Sequence, residues 1–285
     1  MNEREENLHR DIRRILVALD ASTHSLAALQ TAVNLAAELE AELEGLFVED
    51  INLLRLAELP FAREVRTLSA VTQRVSRQRI EAELRAQAAR ARRALVAAAR
   101  QAQVPATFRV VRGHVPLEVL AAALEADLLT LGRVSRPLSR RVHLGSTARM
   151  VVARAPRSVL LMQYTPARAQ SIMVTYDGSA LARRALATAA SLYQVQPNGH
   201  LTVLLVAEEP ALMKQLQEEA ALWLGSRGLT AEYHWLGRAS VQNLAQTVQE
   251  SRCNLLVLGG ERVQMSEEAI QSLLDSVDCS LMLIR

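Results

Sequence analysis

Three features of this chain have residue types and spacing suited to chemistry: an aspartate ending an apolar run, a Gly-Ser-Thr turn, and a run of arginines without acids. Gly132-Arg133-Val134-Ser135 is followed, nine residues on, by Gly145-Ser146-Thr147. Glycine permits positive φ and close approach of the backbone to a ligand. The first N–H groups of a helix have no partner inside it, and the helix dipole adds partial positive charge there. A Gly-Ser-Thr entry into a helix therefore predicts an anion seat, with the Ser146 and Thr147 hydroxyls as further donors. From Leu128 to Tyr176 there is no Asp or Glu but there are eight arginines, among them Arg133, Arg136, Arg140 and Arg141. Such a stretch favours an anionic ligand. It also reads as ordinary solvated surface, because arginine is the default cation here and Lys214 is the lone lysine.

The same residues exclude several chemistries. No Gly-x-x-x-x-Gly-Lys-Ser/Thr is present, which rules out a Walker-type phosphate loop. The turn after the first apolar run is Asp20-Ala21-Ser22, not a Gly-x-Gly-x-x-Gly dinucleotide loop. None of the nine aromatic residues falls between Phe108 and Tyr164, so the basic stretch lacks a stacking platform for single-stranded nucleic acid. The histidines His9, His24, His114, His143, His200 and His234 show no metal-ligand spacing. His24 and His114 fall in turns beside the candidate site, and His143 falls in the basic loop. Glu49-Asp50 could serve Mg²⁺ or ribose, or simply form a solvated turn.

The chain repeats itself. Ile15-Leu16-Val17-Ala18-Leu19-Asp20-Ala21-Ser22 returns as Ile172-Met173-Val174-Thr175-Tyr176-Asp177-Gly178-Ser179, and Leu29, Thr31, Ala32 and Leu35 return at the same offset. The ends also match, Ser158 to Met162 against Ser280 to Ile284. The glycine-serine loop does not repeat. After Gly259-Gly260 the second copy carries Glu261, Glu267 and Glu268, and like charges there disfavour a phosphate.

At 285 residues the chain fits two domains, 1–165 and 166–285. The first carries 24 arginines against 18 acids, and the second 9 Lys and Arg against 12 acids. Half of the residues are hydrophobic, enough for sizeable cores. No apolar run reaches the ~18–20 residues of a membrane helix, and the charged Met1–Arg14 segment lacks the apolar centre of a signal peptide. Cys253 and Cys279 read as small buried hydrophobes, and a reducing cytoplasm fits their number.

The periodicity predicts strands at about 12–20, 43–48, 107–112, 127–131 and 159–162 in the first copy. It predicts helices at 22–40, 68–103, 116–126 and from Gly145 to Ala153, with a partly helical insertion at about 51–75. The second copy repeats the pattern in compressed form. Alternating strands and helices predict, for each copy, an α/β domain with a five-stranded parallel sheet flanked by helices. Ligands in such folds sit beyond the carboxyl ends of the strands, where Asp20, Val48, Gly113 and Gly132 fall.

Over nearly its whole length the chain resembles the universal stress protein family in its tandem two-domain form. Nucleotide-binding members carry Gly-x2-Gly-x9-Gly-Ser/Thr after the fourth strand; here the spacing reads Gly132-x2-Ser135-x9-Gly145-Ser146, with serine for the second glycine. Ser135 meets a steric cost if that position needs positive φ, or donates its hydroxyl to phosphate. The resemblance implies two adenine-nucleotide-hydrolase-like (Rossmann-like) domains. It implies ATP, with Mg²⁺, in the first, held by Ala18, Asp20, Val48, Gly132, Ser135, Gly145, Ser146 and Thr147. It also implies an internal pseudo-dimer joined through the last strand of each domain and open to higher homo-oligomers, in a cytoplasmic stress-response protein. The second domain is expected to bind no ATP. Hydrolysis is expected to be slow at most, since no general base or lysine stands in the first copy. The alternative is a nucleotide-free interaction protein that binds a protein partner through its arginine-rich face. Membrane and nucleic acid are not expected partners.

Overall fold

The computed structural model describes residues 12–20, 22–59, 63–65, 72–74, 76–132, 145–163, 171–194, 199–263 and 265–285. The first half contributes strands β1 (Arg14–Ala18), β2 (Glu42–Asp50), β5 (Ala106–Gly113), β6 (Leu128–Gly132) and β7 (Ser158–Met162). The second contributes β8 (Ser171–Tyr176), β9 (His200–Leu205), β10 (Glu232–Trp235), β11 (Leu255–Leu258) and β12 (Ser280–Leu283). Together they make one ten-stranded sheet in the order β10-β9-β8-β11-β12-β7-β6-β1-β2-β5. Pairing is parallel within each half. The halves join where β7 and β12 run antiparallel, Leu161 opposite Leu281 and Leu160 opposite Met282.

The strands read as unbroken apolar runs because both faces of the sheet are covered. Ile15, Leu16 and Val17 are all fully buried, although successive side chains point to opposite faces. One face carries α1 (Thr23–Glu38), α3 (Arg77–Gln101), α6 (Ala180–Gln194) and α7 (Pro210–Gly225). The other carries α4 (Val115–Ala123), α5 (Ser146–Arg154), α8 (Val241–Glu250) and α9 (Glu267–Ser276). Each apolar layer runs without interruption from one half into the other.

Polar side chains set the ends of these elements. Ser22 caps α1 by accepting from Ser25 N–H at 3.2 Å, as an N-cap hydroxyl does for an otherwise unpaired first-turn donor. The Asp127 carboxylate accepts from the N–H groups of Arg13 and Arg14 at 2.8 and 3.0 Å, tying β1 to the start of β6. Asn254 does the same in the second half, accepting from Ser171 N–H at 2.9 Å.

The long helix is shorter than its periodicity predicts. Thr72–Arg74 is a strand, β4, paired antiparallel with β3 (Arg63–Val65), and α3 starts only at Arg77. Ser76 stops it from running further back. Its backbone is extended, at φ −111° and ψ 139°, and its hydroxyl accepts from Arg79 N–H at 3.3 Å. Leu68, Val71 and Val75, which suggested the longer helix, lie outside the described residues. Among its described residues the insertion holds α2 (Ile51–Glu58) and the antiparallel β3–β4 pair.

Two predictions follow from this packing. Leu161 and Leu281 are fully buried and face each other across the β7–β12 junction. Truncating either to alanine is expected to cost about 2–5 kcal/mol, and the double variant less than the sum because the two sites touch. Urea titration reads this as a lowered midpoint; an unchanged midpoint would mean the junction contributes little. The second concerns Glu38, in the last turn of α1, whose carboxyl is pushed by burial from 4.5 up to about 7. Between these values the folded chain keeps a proton that the unfolded chain has released. Stability is therefore expected to fall as pH rises from about 4.5 to 7. Glu38→Gln should flatten that part of the profile.

Candidate functional site

The strand order β7-β6-β1-β2-β5 reverses direction between β1 and β6, the place where open α/β sheets leave a crevice beyond the strand ends. A cavity of about 390 Å³ lies there. Its walls include Ala18, Asp20, Val48, Gly132, Gly145, Ser146 and Thr147, which are all of the candidate residues but one. Ser135 lies outside the described residues, as do Arg133, Arg136, Arg140, Arg141 and His143.

Each wall residue is placed by the local fold. Leu19 N–H donates to Leu46 O at 2.9 Å, the last rung between β1 and β2 before the chain turns away at Asp20. Backbone groups alternate sides along a strand, so Val48, two residues past Leu46, directs its N–H and C=O toward the space beyond the end of β1. Asp20 accepts from Ser22 N–H at 3.0 Å through Oδ1, closing a tight Asx turn into α1. Asp50 caps α2, accepting from Asn52 N–H at 2.9 Å, and lines the cavity as well. Its neighbour Glu49 is engaged elsewhere, accepting from Arg112 Nε at 2.9 Å and Nη2 at 2.7 Å.

Of the two roles the sequence offers the glycines, positive φ is absent at both loop positions. Among the described glycines, positive φ occurs at 178, 228, 237 and 260, and not at Gly132 or Gly145. Gly132 is closely packed: a Cβ there would stand 3.1 Å from the carbonyl carbon of His24, on α1. Gly145 is the N-cap of α5 at φ −61° and ψ 153°, a conformation open to any residue, and it supplies no side-chain hydrogen bond. Ser22, Asp50, Ser76, Ser240 and Ser266 each bond a first-turn N–H of the helix they cap. The first turn of α5 has no acid and no such cap, and Gly145, Ser146 and Thr147 open onto the cavity. The site thus has two ends: carboxylates at Asp20 and Asp50, and the donor-rich start of α5.

Several wall residues carried no mark in the sequence. Asn52 and Leu53 come from α2, Leu84 and Gln87 from α3, and Val115, Pro116 and Val119 from α4. Leu84 and Gln87 are three apart and share a helix face. Leu84 belongs to the amphipathic pattern and read only as core. His24 packs against Gly132 and His114 precedes α4 as its N-cap; neither is among the cavity's walls.

The second half closes the equivalent place with its own atoms. Thr175 stands where the first half has Ala18, and its hydroxyl donates to Gly259 O at 3.0 Å and accepts from Gly259 N–H at 3.1 Å. The Asp177 carboxylate accepts from Ser179 N–H at 3.0 Å, Ser179 Oγ at 2.6 Å and Arg262 N–H at 2.7 Å. The last of these comes from the shortened loop, bent back at Gly260, where φ is +143° and a Cβ would lie 2.8 Å from Asp177 Oδ2. Leu216 of α7 covers the turn, 2.7 Å from where a Cβ on Gly178 would be. Tyr176, at the position of Leu19, is buried and donates to Glu219 Oε1 at 2.7 Å. Burial and Glu219 both raise the pKa of this phenol.

Residues 11–163 match the family model described as "Universal stress protein family". No curated protein matches the sequence. Among solved structures, a universal stress protein from Archaeoglobus fulgidus DSM 4304 aligns at TM-score 0.67 and 16% identity over 95% of this chain and 96% of its own. A putative universal stress protein from Pseudomonas aeruginosa UCBPP-PA14 aligns at 0.59 and 14% identity over 98% and 95%. At these identities the alignments speak for the fold.

The contrast between the halves generates a stability prediction. Asp177 is buried and accepts three hydrogen bonds, so Asp177→Ala is expected to cost about 3 kcal/mol by leaving donors unpaired. Asp20 accepts one, from Ser22, and Asp20→Ala is expected to cost about 1 kcal/mol or less. Chemical denaturation of the two variants gives the comparison; equal costs would contradict the closed-versus-open distinction.

Proposed function

The chain belongs to the universal stress protein family, and from that premise we propose that its first half binds an adenine nucleotide, ATP. The observation that carries this reading is the two-ended cavity at the β1/β6 crevice. The uncapped start of α5, with Ser146 and Thr147, suits phosphate oxygens. Asp20 and Asp50 suit ribose hydroxyls, which donate to carboxylates. Val48 suits an adenine edge through its backbone, and Leu19, Leu53 and Leu84 give the base an apolar surround. The volume lies within the ~300–1,000 Å³ of small-molecule sites.

Gly132 and Gly145 complete the seat, and Ser135 adds a hydroxyl or a steric cost to the phosphate loop. Among the described residues no cluster of three or more His, Cys, Asp or Glu side chains stands ready to hold a metal. A Mg²⁺ ion carried in on phosphates needs only one or two protein carboxylates. On this reading the second half, residues 166–285, is a structural partner domain, and the protein is a nucleotide-regulated cytoplasmic stress-response factor. No described helix is long and apolar enough to cross a membrane.

Nucleotide-stripped protein is expected to unfold a few degrees higher with MgATP at 100 times its Kd, a stabilisation of about 2.7 kcal/mol. The shift should vanish in Gly145→Asp, which puts charge and bulk at the start of α5, and shrink in Asp20→Ala. Asp177→Ala should keep it. No shift at millimolar MgATP, or a full shift in Gly145→Asp, would overturn the assignment.

A further inference from the structure

Arg285 lies two residues beyond β12, in the second half, yet its side chain ends in the first. Its guanidinium nitrogens Nη1 and Nη2 donate to the carbonyl oxygens of Ala155 and Val152, at the C-terminal end of α5. Its own N–H donates to Ser158 Oγ at 3.2 Å, and its carbonyl accepts from Arg184 Nη1 of α6 at 3.0 Å. The last carbonyls of a helix have no partner inside it, so one planar, two-pronged cation satisfies two of them. Desolvation lowers the pKa of this guanidinium, which reflects how far the side chain has left solvent.

A second contact comes from the same direction. Gln271 of α9, in the amide orientation its surroundings require, accepts from Nε and Nη2 of Arg149 on α5, both at 3.0 Å. The second half therefore grips α5 at its middle and at its C-terminal end, while the N-terminal end opens onto the cavity. The charge is one-sided about the junction. Gln163 N–H donates to Ser280 Oγ at 3.2 Å just as Arg285 N–H donates to Ser158 Oγ, so Gln163 is the counterpart of Arg285. The counterpart carries no charge.

A nine-residue helix is about 13.5 Å long and marginal on its own, so its contacts hold it: Ala148, Val151 and Val152 bury one face, and Arg285 fixes the C-terminal end. We propose that Arg285 is a positioning residue for the anion seat: by holding the C-terminal end of α5 it sets the placement of Gly145, Ser146 and Thr147 in the first half. This rests on the reading of α5 as the phosphate seat. It makes the second half a determinant of ligand affinity although its own cavity is closed. Arg285→Lys separates this from a direct attraction between Arg285 and a phosphate: it keeps the charge and loses the fork that spans two carbonyls.

The test uses the full chain with Arg285→Gln and Arg285→Lys. MgATP and adenosine affinities are measured by calorimetry, and amide exchange of residues 146–155 is measured without ligand. Arg285→Gln is expected to raise the Kd for MgATP about tenfold, within the usual range of coupling between sites. Adenosine, which lacks phosphate, should bind unchanged, and the α5 amides should exchange faster. Arg285→Lys should recover only part of the affinity, since an ammonium lacks the fork that spans two carbonyls. If Arg285→Gln fails to fold, Gln271→Ala should still raise the MgATP Kd severalfold. Unchanged MgATP affinity and α5 exchange would overturn the proposal, as would equal losses for MgATP and adenosine. If the parent chain binds neither ligand, the nucleotide reading falls, and the exchange comparison alone decides whether Arg285 positions α5.

Discussion

The antiparallel pairing of β7 with β12 turns two five-stranded sheets into one and removes an exposed edge from each. Sheet edges present unpaired N–H and C=O groups, and a molecule with two such halves would otherwise expose both closing strands. Leu160, Leu161, Leu281 and Met282 are buried at this junction, and Ser158 and Ser280 take up the N–H groups of Arg285 and Gln163 just beyond it. The two apolar layers run across the junction. Helix α5, which opens onto the cavity, lies on one of those layers and is in contact with α9 of the second half.

Two copies of one pattern have been put to opposite uses around that junction. In the first, small residues keep the crevice open: Ala18 at the end of β1, Gly132 against α1, and Gly145 before α5. In the second, polar side chains and a shorter loop satisfy internally what a ligand would otherwise satisfy. Thr175 binds both backbone groups of Gly259, and Arg262 N–H occupies the Asp177 carboxylate. The glutamates after Gly260 are only part of the difference. Even with them neutralised, Asp177 would already have its partners, and Ser266 would still cap α9 by accepting from Ala269 N–H.

Much of this could be read from the residues. The apolar runs located the strands because a sheet covered on both faces demands continuous hydrophobicity, and the repeated Asp-x-Ser turn located the start of the first helix in each half. Periodicity failed at the long helix, where the spacing of Leu68, Val71 and Val75 continues the pattern of α3 while the backbone at Thr72–Arg74 forms a strand. A helical period describes which side chains could share a face; it does not say where a serine will cap the helix. The reading of the glycines also narrowed. Sequence offers positive φ and close backbone approach to a ligand; neither glycine has positive φ, Gly132 stands close to His24, and Gly145 leaves its helix without a side-chain cap.

The sequence alone determined the repeated pattern, the α/β class, the residues at the strand ends and the absence of a second glycine-serine loop, because each is a matter of local pattern and spacing. Only the tertiary structure decided which side chains from distant segments share the cavity. Asn52, Leu53, Leu84 and Gln87 reach it because α2 and α3 fold over the ends of β1 and β2. It also decided that Arg285 reaches the carbonyls of Val152 and Ala155, more than a hundred residues earlier in the chain. Those contacts depend on how the sheet is joined and how its helices lie, and no run of neighbouring residues encodes either.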